Sequence, residues 1–537
     1  MENKFKLTLE QQDIVGAEGN VVVTARPGSG KTFTIVRMIE KALKKCYDYQ
    51  GIIAISFTKK ASRELELRCR KNGISKKSSF FGTIDHFYIT EIIIPFAKHL
   101  LMKNIELQIE DNLSEYPQYG GLSDIKERFD EHIESLLLRS LEEGHVFLEI
   151  TGETAFYILQ KVNGVNEYLK SKYTHIYIDE YQDCGEIQHK IFMYLIELGM
   201  KGVAVGDLDQ AIFAFTNRYA KYLELLLKNN QFQPFSLSKN YRCHESIVNY
   251  SLQLLGVQQP VPNEKRIIEV KMEGSESDQA KRISERFEKI KIKYGVTKNS
   301  DVAILCRNKS SAEIISKSLG IKNKLFIDNK LDISHYHWSR LFGDLLRDYF
   351  DKEIFAVDLA NKYADEEVEN RLFMKIYKLA DELFNIPENE LKDNWIKFRK
   401  IAYVLMPEYE CEEAVIELKN VLNSKRELEG YRSPEDDEVC IMTLHKSKGL
   451  EFDIVFHMDL YDWTFPKREI DEEEWKQTLN LHYVGITRAK KVCYIVQGTK
   501  RYRAYNKDYV SAYESPFLYL NNVHQYRDTF NWKELRK

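Results

Sequence analysis

The sequence predicts an α/β protein in which parallel strands feed a phosphate-binding turn, and three stretches carry that expectation. VVVTARPGSGKTFTIV, residues 21–36, passes from an apolar β-branched run through a turn holding Pro27, Gly28 and Gly30 into an apolar run of helical period. THIYIDEYQD sets an apolar strand, His175 to Ile178, before the adjacent acids Asp179 and Glu180. GVAVGDLDQAIFAF is a third such strand, ending at Gly206-Asp207 and continuing into Gln210. Continuous apolar strands are buried on both faces of a parallel sheet, and ligands of such sheets sit in the crevice beyond the strands' carboxyl ends.

The 537 residues exceed what one hydrophobic core organises, so two or more domains are expected, and 43% hydrophobic residues suffice to bury them. Lys and Arg (78) nearly balance Asp and Glu (82), so bulk charge does not recruit nucleic acid and any polyanion must bind in a local groove. The eight cysteines are scattered without a Cys-x-x-Cys pair, which argues against zinc, iron–sulfur and disulfide frameworks. MENKFKLTLEQQ has no apolar signal core, and no window reaches the roughly 18 apolar residues of a spanning helix. A soluble, cytoplasmic protein with no membrane partner is expected.

In a Gly-x-x-x-x-Gly-Lys-[Ser/Thr] loop the backbone N–H groups turn inward on a phosphate at a helix N-terminus, Lys reaches the β/γ oxygens and the hydroxyl binds Mg²⁺. ARPGSGKT wraps Arg26, Pro27, Gly28, Ser29 and Gly30 around the phosphates, with Lys31 and Thr32 in the two chemical positions. Ala25 stands where the pattern's first Gly belongs. Mg²⁺ and an attacking water need carboxylates from another strand. Asp179 suits the metal shell and Glu180 the water, although two adjacent acids alone commonly mark only a solvated strand end. Gln210 offers an uncharged side chain to a γ-phosphate. These residues together describe a strand-loop NTPase.

In order along the chain, the motifs resemble those of the UvrD/Rep/PcrA-like superfamily 1 DNA helicases. LTLEQQDIV looks like the adenine-reading Gln motif, ARPGSGKT like motif I, IIAISFTKKASRELELR like Ia and FGTIDHF like Ib. IDEYQD resembles motif II, VGDLDQAIFAF motif III, LSKNYR motif IV, IMTLHKSKGLEFDIVF motif V and HYVGITRA motif VI. Nine pieces in family order, from Gln11 to Arg488, carry the likeness together where each alone is weak.

The resemblance implies two RecA-like P-loop NTPase domains, each with a mainly helical insertion, that close on ATP and Mg²⁺. It implies that Gln11 reads the adenine, Tyr241 stacks on it and Glu451 contacts the ribose. Arg242 and Arg488 are the implied arginine fingers, completing with Lys31, Glu180 and Gln210 the hydrolysis set. Outside this motif order Arg242 reads as a surface ion pair and Tyr241 as a core aromatic. Single-stranded DNA is held by aromatic platforms and polar groups. Phe57, Phe213 and Phe215 are the implied platforms, and Thr83, His86, Thr443 and His445 the backbone contacts, with Lys59, Lys60, Lys446 and Lys448 nearby in sequence. The family's motif III aromatics are commonly Tyr and Trp, whereas this chain has Phe at both positions.

The expected first RecA-like domain spans 1–87 and 173–236, with a helical insertion at 88–172 that includes DIKERFDEHIESLLLRSLEEG. The second spans 237–332 and 432–537, around the strand DVAILC, with an insertion at 333–431 shorter than in full-length family members. His335-Tyr336-His337 lacks a third ligand nearby and reads as packing or surface. DEEE, Asp471 to Glu474, reads as a solvated helix start, and VCYIVQG as a final strand before a polar aromatic tail. No nuclease-like acidic constellation follows motif VI. The resemblance implies a 3′–5′ single-strand DNA translocase or helicase. The trimmed second insertion is similar to helicase-like subunits of antiphage defence systems that respond to DNA ends and pair with a separate nuclease. The alternatives are a bacterial repair helicase and a DNA-end-gated NTPase that senses DNA, then consumes nucleotide or switches a partner without unwinding.

Overall fold

Two parallel sheets, each interrupted by an insertion, build the chain in the computed structural model, which describes residues 7–57, 59–110, 112–210, 220–326, 329–364, 370–468 and 470–534. The first sheet contains β1 (Asn20–Ala25), β2 (Gly51–Ile55), β3 (Phe80–Gly82), β6 (Tyr173–Ile178), β7 (Lys201–Gly206) and β8 (Phe232–Leu237), with β4 (Gln108–Glu110) and β5 (His145–Phe147) forming a separate parallel pair inside the insertion. The sheet order is β3-β2-β6-β7-β1-β8, all parallel. Alternate side chains of β2 enter opposite cores, Ile53 and Ile55 on one face and Ile52 and Ala54 on the other. That is why the run GIIAI is apolar throughout.

The order fixes where chemistry can occur. β1, β7 and β6 are neighbours in register, with Thr24 beside Gly206 and Ala204 beside Ile178. Their carboxyl ends therefore discharge the phosphate loop, Asp207 and Asp179-Glu180 into one crevice.

The second sheet joins β9 (Ile267–Lys271), β10 (Val302–Cys306), β11 (Asn323–Phe326), β12 (Val439–Thr443), β13 (Phe452–His457), β14 (Ala489–Gln497) and β17 (Asp528–Asn531) in the parallel order β11-β12-β10-β13-β14-β9-β17. The second insertion leaves after β11 and returns at β12, its immediate neighbour. It has its own core, in which Trp338, Phe342, Leu345, Phe398 and Leu418 are buried and Trp338 Nε1 donates to the Met406 carbonyl at 2.9 Å. The helices His337–Phe350 and Asn370–Phe384 follow the apolar period in its sequence.

Two details differ from the sequence expectation. DIKERFDEHIESLLLRSLEEG is not one helix: a 3-10 segment ends at Lys126, and Asp130 then caps a new helix, Glu131–Glu142, by accepting from Ile133 N at 3.0 Å. β14 is not the final strand. An antiparallel hairpin of β15 (Lys500–Arg503) and β16 (Asp508–Ser511) follows, and β17 then docks on β9. DTFN has no apolar run to announce β17; what docks it is a buried ion pair, Arg527 Nε to Glu269 Oε2 at 2.9 Å, with Thr529 Oγ1 donating to the same oxygen at 2.8 Å. His337 lies against Tyr409, ring centroids 4.2 Å apart, as packing. Among the described residues no helix is long and apolar enough to cross a membrane.

Removing one member of a buried ion pair strands the other charge, whereas replacing both by apolar groups is far better tolerated. Arg527→Met should therefore lower stability by about 3–5 kcal/mol, and Arg527→Met/Glu269→Leu should recover most of it. Urea unfolding of the two variants beside the parent chain checks both signs.

Candidate nucleotide site

The phosphate loop is shaped by two left-handed glycines, Gly28 (φ +69°) and Gly30 (φ +86°), the second immediately before the helix Lys31–Leu43. Arg26 N donates to Leu237 O at 3.3 Å and Ser29 N to Arg26 O at 3.2 Å, fixing the turn from Ala25 onward. Ser29 Oγ is buried without a hydrogen-bond partner, an unmet donor and acceptor inside a loop suited to phosphate oxygens. Gln11 is buried and belongs to a capping box with Thr8. A Cβ on Gly30 would lie 2.9 Å from Gln11 Nε2, so the amide packs directly against the loop.

Lys31 Nζ donates to Glu180 Oε1 at 2.6 Å. Burial works against the ammonium's charge, but Glu180, Asp179 and Asp207 together hold it protonated, above the usual lysine range. Burial also disfavours charge on Glu180, yet Lys31 and Lys448 keep its carboxyl well below the usual range. Glu180 is one of the few non-glycine residues in left-handed backbone (φ +58°), a conformation that places side chains at functional turns. Its N–H donates to Asp179 Oδ1 at 2.9 Å. Gln182 Nε2 donates to the other Glu180 oxygen, and Gln182 Oε1 accepts from Asp207 N at 2.9 Å. Asp207 is buried, with Asp209 adding negative charge, and its carboxyl is pushed up to about 7.

The second domain meets this crevice from the opposite side. Asn240 Nδ2 donates to Pro27 O at 2.7 Å, Tyr241 N to Gly28 O at 2.8 Å, and Asn240 Oδ1 accepts from Arg242 N and Cys243 N. Arg242 Nε pairs with Glu451 Oε2 at 2.7 Å, so Glu451, expected at a ribose, lies beside an expected finger. Arg488 is buried, and burial followed by Arg242 lowers its guanidinium to about 10. Its Nη1 donates to Leu450 O at 3.2 Å and its Nη2 reaches Gln210 Oε1 at 3.5 Å, while Gln210 Nε2 donates to Asp207 Oδ2 at 2.8 Å. The Tyr241 ring is 52% exposed, with Lys239 Nζ 5.3 Å from its centroid, leaving a face for a planar ligand.

Among the described residues no group of three or more His, Cys, Asp or Glu side chains could hold a metal alone. Thr32 and Asp179 are the residues that would hold Mg²⁺, an ion that keeps waters and nucleotide phosphates as its remaining ligands.

On the expected strand track, Phe57 follows β2 and packs partly buried on the first core. Thr83 follows β3, and His86 is exposed, edge-on to Phe80 with centroids 5.5 Å apart. Thr443 ends β12, and burial, then Arg307, lowers His445 to about 4, so its imidazole is neutral. Phe213 and Phe215 lie outside the described residues, as do the side chains of Lys59 and Lys60. Lys448 Nζ donates to Asp183 Oδ2 at 2.7 Å and to Gln210 O at 3.1 Å, across the two domains. Sequence reasoning missed Asn240, Gln182 and Arg307. The first two lie inside quoted motifs. Arg307 follows β10, whose Cys306 pairs with Thr443 and accepts from Leu444 N, so sheet register alone brings it to His445.

Two parallel sheets whose carboxyl ends meet in one composite crevice have the architecture of a two-domain P-loop NTPase. Residues 11–216 match an AAA domain family, and residues 336–499 match the UvrD-like helicase C-terminal domain family. The chain is similar to the Gabija protein GajB of Bacillus cereus, 27% identical over 93% of this chain and 97% of that protein. It is also similar to a probable DNA helicase II homolog of Mycoplasma genitalium, 24% identical over 90% of this chain and 84% of the other. With the ATP-dependent DNA helicase PcrA of Staphylococcus aureus it shares 22% identity over 92% and 83% of the two chains. These likenesses imply ATP-dependent helicase or ATPase activity.

A Cβ on Gly28 would stand 2.5 Å from Arg242 Cβ and 3.2 Å from Arg242 N, on top of a left-handed backbone that penalises L side chains. Gly28→Ala should therefore push Arg242 out of place and lower ATP turnover by about 10- to 100-fold. Turnover assays, with circular dichroism to verify the fold, check this.

Proposed function

We propose that the chain is an ATP- and Mg²⁺-dependent single-stranded DNA translocase or helicase moving 3′ to 5′, acting in antiphage defence beside a separate nuclease subunit. The observation that carries the reading is the meeting of Arg488 with Gln210 across the crevice that also holds the Lys31–Glu180 pair. A triphosphate's transition-state charge calls for cations from both sides. Lys31 and the loop N–H groups come from the first domain, Arg242 and Arg488 from the second. Mg²⁺, held by Thr32 and Asp179, would supply positive charge at the β/γ oxygens. Lys31 turns from Glu180 to phosphate as nucleotide enters, freeing the carboxylate to orient water and accept its proton. Gln210 and the arginines sense the γ-phosphate, Gln11 and Tyr241 hold the base, and Glu451 turns from Arg242 to the ribose.

The strand is to run past Phe57, Thr83 and His86 on one domain and Arg307, Thr443 and His445 on the other, with Phe213 and Phe215 as further platforms. An exposed hairpin adds support for nucleic-acid contact. Tyr505 is 99% exposed there, among Lys500, Arg501 and Lys507, a ring and cations suited to bases and phosphates. The likeness to a Gabija protein supports the defence role. The compact second insertion favours one alternative: a DNA-gated NTPase that works through its partner without separating strands.

ATP turnover with and without single-stranded DNA, for the parent chain and Glu180→Gln, beside unwinding of 3′- and 5′-tailed duplexes, tests the reading. DNA-stimulated turnover lost in the variant, with unwinding of the 3′-tailed duplex, is expected. Stimulated turnover without unwinding selects the gated NTPase, and no turnover rejects both.

A further inference from the structure

Trp463 is held in a backbone conformation that its side chain does not favour. Its φ is +68°, in the left-handed region where a Cβ crowds the following carbonyl oxygen, and bulky residues rarely stay there. The ring is 51% exposed, so burial of the indole does not account for the arrangement. The loop around it is what is fixed. Asp462 N donates to Tyr513 O at 2.9 Å, Trp463 N to Asp462 Oδ1 at 3.0 Å and Thr464 N to Tyr461 O at 3.1 Å, while Phe465 is fully buried. Arg468 braces the ring from one side: its guanidinium carbon lies 4.1 Å from the ring centroid, and its Nη2 donates to Asp462 Oδ2 at 2.5 Å. Backbone strain that a loop maintains around a half-exposed ring marks ligand sites more than packing sites.

Strand order decides what the ring stands beside. β12, β10 and β13 are neighbours in that order, so Thr443, Arg307 and Asp459 follow one another along the carboxyl edge of the second sheet. Arg307 N donates to Asp459 Oδ2 at 2.9 Å, and the Arg307 guanidinium carbon lies 5.8 Å from the centroid of Phe465, two residues from Trp463. Among the described residues Arg307 Nε is buried and meets no acceptor, an unmet donor on a cation already placed on the strand path. Acids follow closely: Asp471 caps the helix Glu472–Thr487, and Glu474 in its first turn favours the charge on Arg307. Such a run repels phosphate but not an uncharged planar ring, so the open face of the indole suits a base.

We infer that Trp463, braced by Arg468, is a stacking platform for a nucleobase of single-stranded nucleic acid, extending the strand path past Arg307 along the carboxyl edge of the second sheet. Any base fits, since each has a π-face. This contact rests on the proposed strand path and lengthens it. Trp463 lies between the motif that ends at Phe456 and the one that starts at His482, and belongs to neither.

Trp463→Gly separates a platform from a structural part, because glycine accepts this φ at no steric cost and only the ring is lost. Fluorescence anisotropy of a labelled oligothymidylate, on the full chain without nucleotide, should show affinity about tenfold lower in Trp463→Gly and within about threefold of the parent in Trp463→Phe. That ratio should persist as salt rises, since a stack releases no counterions. The thermal midpoint of Trp463→Gly, followed by circular dichroism, should stay close to the parent's. Parent-like affinity in Trp463→Gly would overturn the platform, as would a loss that Trp463→Phe fails to restore. Ultraviolet crosslinking of the parent chain to an oligonucleotide carrying 5-iodouracil, with peptide mapping, should mark the peptide that holds Trp463, and a map without it contradicts the platform. If the parent binds no oligothymidylate, the proposed function fails and the platform with it; binding by the parent that Trp463→Gly leaves intact removes the platform alone.

Discussion

The close approach of Arg242 to Gly28 is the constraint on which the composite site depends. The backbone of one domain touches the phosphate loop of the other where only a glycine's hydrogen fits. Asn240 secures the approach, donating to Pro27 O while its carbonyl oxygen gathers Arg242 N and Cys243 N. The second domain is thereby fastened to the loop's own carbonyls. A site assembled in this way responds to its contents, because whatever shifts the loop shifts the second domain.

Electrostatics give the crevice its second property. Three carboxylates from the ends of β6 and β7, Asp179, Glu180 and Asp207, act on Lys31, and each position follows from strand order rather than from loop chance. Parallel neighbours in register deliver Asp179, Glu180 and Asp207 to one place, and low-dielectric surroundings make each charge count for more than it would in water. Glu180 is engaged by Lys31 on one oxygen and Gln182 on the other, which holds its carboxylate in one place. The arginines on the far side are held in the same fashion, Arg242 by Glu451 and Arg488 by backbone carbonyls and Gln210.

The fold was legible wherever burial forces a run of apolar residues. VVVTA, HIYI and VAILC read as strands of a parallel sheet because they are buried among their neighbours, and the loops beyond them advertise their chemistry through Gly, Lys and paired acids. Two things resist this kind of reading. β17 is held by Arg527 and Glu269, 258 positions apart, and its own four residues alternate between half-buried and exposed. Lys448 looks like any lysine near a turn, since its partner Asp183 lies 265 positions away and only the apposition of two domains joins them. Arg307 illustrates the middle case: LCRN reads as a strand end, and the pairing of β10 with β12 is what sets it beside His445. Spacing exposes what local backbone does, and contacts between distant segments become visible only in three dimensions.

The claim that both domains build one hydrolytic site is tested most directly by single-turnover ATP hydrolysis in Arg488→Ala, with nucleotide affinity measured alongside by a fluorescent ATP analogue. An arginine that stabilises the transferring phosphoryl group is worth about 10³–10⁵ in rate. Hydrolysis is expected to fall about 1,000-fold while affinity stays within several-fold of the parent chain. Hydrolysis at the parent rate would mean that the first domain carries out the chemistry alone and would contradict the composite site.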